Sequence, residues 1–521
     1  MSNRFDIKIG LEEVLEVDKV SEEIEEKKND PDAVIADTEE EKTEEAPKED
    51  EGDSAIEETV PETETTDLVK EAEDNSEQVA DASDVAATLE SIALCLEESL
   101  ESGGLSQPTA KLVNLVTQDL YRKVGIKQTK RNTISVENFN TSSNKIRNTK
   151  IAIETIAEFA TRVWEAIVDA ITRSIEWIKK FIRSIFNDYE VHKKNIKKLR
   201  SALVTTQNDK LFDIQKLSST SNIPQKFIFN KPTILAKLKA GGSFDFPLNI
   251  KELTKFSELF FDNIEKEQHK VINSIKNILD NIANSHYDQP GIVDFTQKLP
   301  TGVVKHVVPG YTPEIKTLES YAYTRILPGD SVFIAYMPDV TAVKAIMANK
   351  NSAKKTNDGV ELSLADEVNN VVKRSKFTFG TDQTNTKSLD GFPVIPKVNI
   401  LQLFDAMEYL CEEALKSEKT FDNFIKDKTS LQNDLKKIIK ERNTMSKIDK
   451  VVDTFNSIKD EKGYIKKSKN FELDYISSRI QMIENTYVAG ASKLSTLILQ
   501  TLSASINYCS FCVDAYKAAD R

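Results

Sequence analysis

Apolar residues recur at helical spacing through most of the chain. From about Arg147 to Leu203 one stripe runs through Ile153, Ile156, Ala160, Val163, Ile167, Ile171, Ile178, Ile182 and Ile185. Phe159, Trp164, Val168, Trp177, Phe181 and Phe186 widen it. Positions three and four apart share a helix face, so this pattern predicts one long amphipathic helix. Upstream, Leu89, Ile92, Leu96 and Leu100 predict a shorter helix ended by Ser102-Gly103-Gly104. Ser106 then reads as an N-cap with Pro108 in the first turn, and Leu112, Leu115 and Leu120 carry the seam to Gly125. The two segments predict a helical hairpin.

Further helical patterns cover about 251–285, 398–417, 419–446 and 470–517. The period changes between 300 and 380. VVKHVV (303–308), YAYTRIL (321–327), SVFIAYM (331–337) and RSKFTFG (374–380) are β-branched and aromatic runs. Pro328-Gly329-Asp330 between the second and third predicts a hairpin turn. Short helices are expected near 339–350 and 362–373.

The predicted fold is therefore mainly α: a long-helix bundle with a small α+β insertion, preceded by a disordered acidic region and a helical hairpin. The expected divisions are an acidic disordered pro-region (1–84), the hairpin (85–125), a linker (126–148), a first helical part (149–299), the insertion (300–397) and C-terminal helices (398–521). Within the acidic region only residues 5–17 are apolar enough to suggest docking on a partner. No aromatic residue lies between Phe5 and Tyr121, so residues 18–84 lack the apolar surface to offset ordering entropy.

Charge sharpens this division. The net charge of −14 conceals a strong segregation. Residues 1–137 hold 14 Lys+Arg against 38 Asp+Glu, a net of −24; the remaining 56 against 46 leave +10 for 138–521. Such asymmetry suggests separate roles for the two parts. The four cysteines argue against a disulfide framework and for a reducing compartment, a cytoplasm. No secretory signal is expected, nor any stretch apolar enough to span a membrane.

Candidate chemistry is sparse. Cys509-Ser-Phe-Cys512 is a lone CxxC on a helix, and buried core explains it better than a metal or redox site. His192, His269, His286 and His306 lack ligand spacing, and His286 and His306 fall in or beside expected loops. No phosphate-loop, dinucleotide, nucleophile-elbow or zincin motif occurs, and no carboxylate stands in a setting that suggests a raised pKa. Neither a cofactor nor a metal is expected, and nothing supports catalysis. An enzyme site inside 300–380 is the residual alternative. The helix at 151–186 carries Trp, Phe and Ile beside Lys and Arg; a core helix is the preferred reading and membrane contact the minority one. Lys179, Lys180, Arg183, Lys193, Lys194, Lys197, Lys198 and Arg200 are candidate DNA-facing groups, because sequence-independent binding needs only cations within reach of phosphates. The stretch 426–450 is also basic, but its interspersed acids fit a solvated face equally well.

Ser135-Val136-Glu137 lies in the polar linker, where the charge changes sign. A protease needs an extended, accessible segment, and this is the best one between two ordered regions. Ser-x-Glu recurs at 21–23, 99–101 and 174–176, the last two inside predicted helices.

The hairpin sequence TLESIALCLEESLESGGLSQPTAKLVNLVTQDLYRKVG (88–125), then ISVENF (134–139), then EFATRVWEAIVDAITRSIEWIKKFIRSIF (158–186), resembles the internal head proteins of large tailed phages, the myoviruses. The likeness is clearest over about 86–205; residues before 86 and across 300–380 contribute nothing to it. It implies co-assembly inside the prohead with capsid or scaffold proteins, and retention beside the packaged genome. It also implies cleavage by the prohead maturation protease after a small-x-Glu motif. Residue by residue that motif falls on Ser135, Val136 and Glu137, with the cut before Asn138. A structural virion component is the leading expectation; an effector co-ejected with the DNA and acting on a host target or membrane is the alternative.

Overall fold

The computed structural model describes residues 62–125, 141–207, 213–215, 246–283, 301–308, 319–328, 331–338, 372–381, 392–444 and 471–520. Nine helices occur among them: α1 (Glu62–Glu101), α2 (Gln107–Lys123), α3 (Ser142–Val204), α4 (Phe246–Ala283), α5 (Thr301–Val307), α6 (Lys397–Lys416), α7 (Glu418–Thr444), α8 (Phe471–Met482) and α9 (Ala489–Ala519). A π-helical turn, Ile483–Val488, joins α8 to α9. The strands are β1 (Asp213–Gln215), β2 (Glu319–Leu327), β3 (Ser331–Pro338), β4 (Lys376–Thr381) and β5 (Phe392–Val394). The chain is mainly helical, as its periodicity predicts.

Helix α3 is the spine. It runs 63 residues, about 95 Å at 1.5 Å per residue. Its predicted stripe is buried except for the half-buried Ile182: Phe159, Val163, Trp164, Ile167, Ile171, Trp177, Ile178, Phe181 and Ile185 are each at most 1% exposed. The face that suggested membrane contact is thus covered by other helices, and α1, α6, α7 and α9 all pack on it. Burying so many large side chains contributes about 1.5–3 kcal/mol each, far more than helix propensity.

The insertion is built into this core. β2, β3 and β4 form an antiparallel sheet in that order, with Phe333 paired to Phe379 and Ala335 to Phe377. The expected β2–β3 hairpin forms, with a bulge between Thr324 and Leu327. Phe333 and Phe377 meet Phe260 of α4 edge-on at 5.8 and 5.9 Å, and Phe377 touches Tyr487 of the π turn at 6.4 Å. Such edge-to-face pairs add directional preference to apolar burial. A second, two-stranded sheet pairs β1 with β5.

Several expectations are corrected. VVKHVV forms α5 instead of a strand, burying Val303, Val304 and Val307 at helical spacing. Helix α1 starts at Glu62, so residues 62–84 are helical instead of disordered. Its buried stripe there is Ala72, Asn75, Ser76, Val79, Ala82 and Ser83. These small side chains carry little apolar signal, yet they permit close helix approach, and tertiary packing supplies what propensity lacks. In α2 the buried face is Ala110, Val113, Thr117, Leu120 and Tyr121, whereas Leu112 and Leu115 are 57% and 67% exposed. The linker is shorter than expected, because Thr141 caps the Asn144 N–H and α3 begins at Ser142. Ile476–Ala519 is long and apolar enough to cross a membrane by length and composition, with mean hydropathy 1.2. Most of that window is buried in the core, where Thr501 and Ser505 hydroxyls donate to carbonyls four residues back. The apolar segment 5–17 and the helices expected at 339–350 and up to 371 lie outside the described residues.

Candidate functional site

The tripeptide Ser135-Val136-Glu137 and Asn138 lie outside the described residues, but the helices on either side are defined. Helix α2 closes on Gly125 at φ +66°, a left-handed value suited to glycine. Helix α3 opens at Ser142. The junction 126–140 therefore joins two helices that pack on one body, with the acidic part of the chain before it and the basic part after it.

The eight basic candidates on α3 divide by environment. Arg200 bridges Asp405 at 2.7 Å and Glu408 at 3.0 Å on α6 and lies over the Phe404 ring. Lys193 faces Glu412 at 3.8 Å, and Lys180 faces Glu71 of α1 at 3.3 Å. These three tie α3 to its neighbours. Lys179, Arg183, Lys194, Lys197 and Lys198 are exposed. The structure thus leaves six of the eight exposed, Lys180 among them despite its ion pair, and links Lys180, Lys193 and Arg200 to carboxylates on neighbouring helices.

The stretch 426–450 contains a residue that neither a solvated face nor DNA contact explains. Lys428 on α7 is 2% exposed, and its ammonium pairs with Glu484, 4% exposed, on the π turn. Ser174 of α3 donates to Glu484 Oε2 at 2.8 Å and accepts from Lys428 Nζ at 2.9 Å. Burial pushes the Lys428 ammonium down, against the upward pull of the Glu484 carboxylate. Glu484 sits among apolar neighbours in sequence, Ile483, Tyr487 and Val488, all buried. The wide π turn lets Glu484 face α3 and α7 while its neighbour Asn485 faces elsewhere, donating to Lys373 O at 3.1 Å and accepting from Ser76. A lone Glu within an apolar helical pattern was the available signal, but nothing in the sequence pairs it with Lys428.

Lys373 is a second buried cation, 6% exposed, with Nζ 3.4 Å from both Ser83 O and Asp84 Oδ1 of α1. His192 is buried on α3, and desolvation lowers its pKa to about 4. His269 lies 3.1 Å from Asp427, and His306 is exposed on helix α5 instead of a loop. His286 lies outside the described residues. Cys509 and Cys512 are buried as expected, and burial pushes the Cys512 thiol up to about 12, the wrong direction for a reactive thiolate. Among the described residues no cluster of three or more His, Cys, Asp or Glu could hold a metal.

The model of the phiKZ-like phage internal head proteins matches residues 64–516, which is most of the chain. The chain belongs to this family. No curated protein and no solved structure matches it. The match starts two residues into α1 and runs almost to the end of α9, so it takes in the hairpin, the spine and the 300–380 segment, where sequence inspection found no likeness. This internal head protein is accordingly a component of the interior of a phage head, and Lys428, Glu484 and Ser174 all lie within the matched residues.

Proposed function

We propose that this internal head protein enters the prohead as a precursor, is cut after Glu137 by the prohead maturation protease, and stays beside the packaged genome as a structural component without catalysis of its own. The observation that carries this reading is the coincidence, at one junction, of Ser135-Val136-Glu137 with the reversal of charge from −24 to +10. Before cleavage the acidic part opposes contact between the basic body and nucleic acid. After cleavage the body lies near concentrated DNA without strong repulsion. The outward cations Lys179, Arg183, Lys194, Lys197 and Lys198 are the groups proposed to meet phosphates, non-specifically. Capsid or scaffold proteins are the proposed partners during assembly, following synthesis in the host cytoplasm.

N-terminal sequencing of the protein from mature particles tests this. A start at Asn138 supports it; an intact Met1 or Ser2 overturns it. Co-ejection with an action on a host membrane finds little support in the fold, because the aromatic stripe of α3 is buried by neighbouring helices.

A further inference from the structure

The α1–α2 hairpin is joined to the body downstream by residues 126–140 and is also held by a long non-covalent interface. At one end Trp177 Nε1 of α3 donates to Leu68 O at 2.7 Å; at the other the Leu105 N–H donates to Thr149 Oγ1 of α3 at 2.8 Å. Numbers rise along α1 as they fall along α3, so the two helices run antiparallel for about 40 Å. Tyr121 of α2 stacks on Phe159 with ring centroids 3.9 Å apart. At mid-length the interface is buried and polar. Ser83 Oγ meets Ser477 Oγ at 3.1 Å with both residues buried, beside the Lys373 ammonium. Every one of these contacts is made by side chains and backbone outside the connecting segment. A covalent connection between two parts held in this way adds effective concentration.

We propose that the face formed by α3, α8 and Lys373 is a receptor for the acidic α1–α2 hairpin that holds it as a separate chain once the connection is cut, so that release is a step distinct from scission. The partner fits by size and charge. Residues 62–125 carry 14 Asp+Glu against 4 Lys+Arg, a net of −10 facing a body of +10. Small residues at Ala72, Ser76, Ala82 and Ser83 allow the close approach. A polyanion such as packaged DNA repels the bound hairpin and is attracted to the body, which supplies a driver for release. That consequence rests on cleavage at Glu137; the receptor itself does not.

The test uses the full chain with a heterologous protease site placed within 126–133, so that scission does not depend on the native motif. After cutting, size-exclusion chromatography and native mass spectrometry at micromolar concentration should show both fragments together as a 1:1 complex. Ser83→Lys places a second cation against Lys373 at a buried position and should weaken retention at least about 100-fold, while Ser83→Ala keeps the hairpin bound. Elution of the wild-type hairpin apart from the body overturns the proposal, as does full retention by Ser83→Lys. If Ser83→Lys does not fold, hydrogen exchange over 62–125 of the cut wild type decides: protection equal to the uncut chain supports the receptor, and its loss overturns it. Co-elution together with an intact N-terminus in particles sinks only the cleavage reading. Separation together with a start at Asn138 sinks only this one.

Discussion

Replacing Lys428 with Met leaves Glu484 as a carboxylate inside the bundle with Ser174 as its remaining polar partner. Both charged residues are nearly sealed from water, at 2% and 4% exposure. Solvent screening is therefore slight, and removal of one partner should cost about 3–5 kcal/mol, the usual penalty for an uncompensated buried charge. Glu484→Leu strands the ammonium in the same way and should cost a similar amount. The double variant Lys428→Met with Glu484→Leu fills the same volume with apolar groups and leaves only a serine hydroxyl, which can donate within its own helix. It should lie within about 1 kcal/mol of the wild type, or above it. The coupling energy of the cycle is then at least about 5 kcal/mol. Urea unfolding followed by tryptophan fluorescence is a suitable assay, because Trp164 and Trp177 are the only two tryptophans and flank Ser174 on α3. Equal denaturant slopes across the four proteins would show that the unfolded states are comparable. Single variants that each cost under about 1 kcal/mol, or a double variant that costs their sum, would refute the assignment of a desolvated, mutually dependent pair.

Three further outcomes are expected. Gly103 and Gly104 both adopt φ +98°, but a Cβ at Gly104 would lie 2.5 Å from the Lys145 carbonyl carbon whereas one at Gly103 meets nothing within 4 Å. Gly103→Ala should cost about 1–2 kcal/mol for its backbone and Gly104→Ala clearly more, with thermal melts as the readout; equal losses would show that the turn does not seat on α3. His192 is held neutral by burial, with its pKa lowered to about 4, while the unfolded chain titrates near 6.5, so the unfolded state binds more protons below that pH. Stability should therefore fall by up to about 3 kcal/mol between pH 6.5 and 4, and a His192→Phe variant should lose that share of the slope. For the cut body, Lys179→Gln with Arg183→Gln, Lys194→Gln and Lys197→Gln should lower the salt slope of DNA binding by about 3–4, measured by fluorescence anisotropy; an unchanged slope would remove these residues from the DNA-facing set.

The sequence by itself determined the elements whose signal is local. Nine strong apolar positions at helical spacing specify α3 wherever it packs, Ser106 and Pro108 specify the start of α2, and the Pro328-Gly329-Asp330 turn specifies the β2–β3 hairpin. The tertiary structure decided what depends on a distant partner. Residues 62–84 read as an acidic tail because their buried face is mostly small or polar, Ala72, Asn75, Ser76, Ala82 and Ser83 beside Val79, and its helix is supported by packing on α3 and α8. VVKHVV carries a β-rich composition, yet the core receives it as a helical face. Lys428 and Glu484 are 56 positions apart, and Ser174 is 254 from the lysine, so no local pattern foretells that they close one buried cluster. Of the basic candidates, sequence named the cations but could not assign Lys180, Lys193 and Arg200 to carboxylates on other helices. Charge and periodicity add up along the chain, whereas desolvation and pairing depend on what the fold brings alongside.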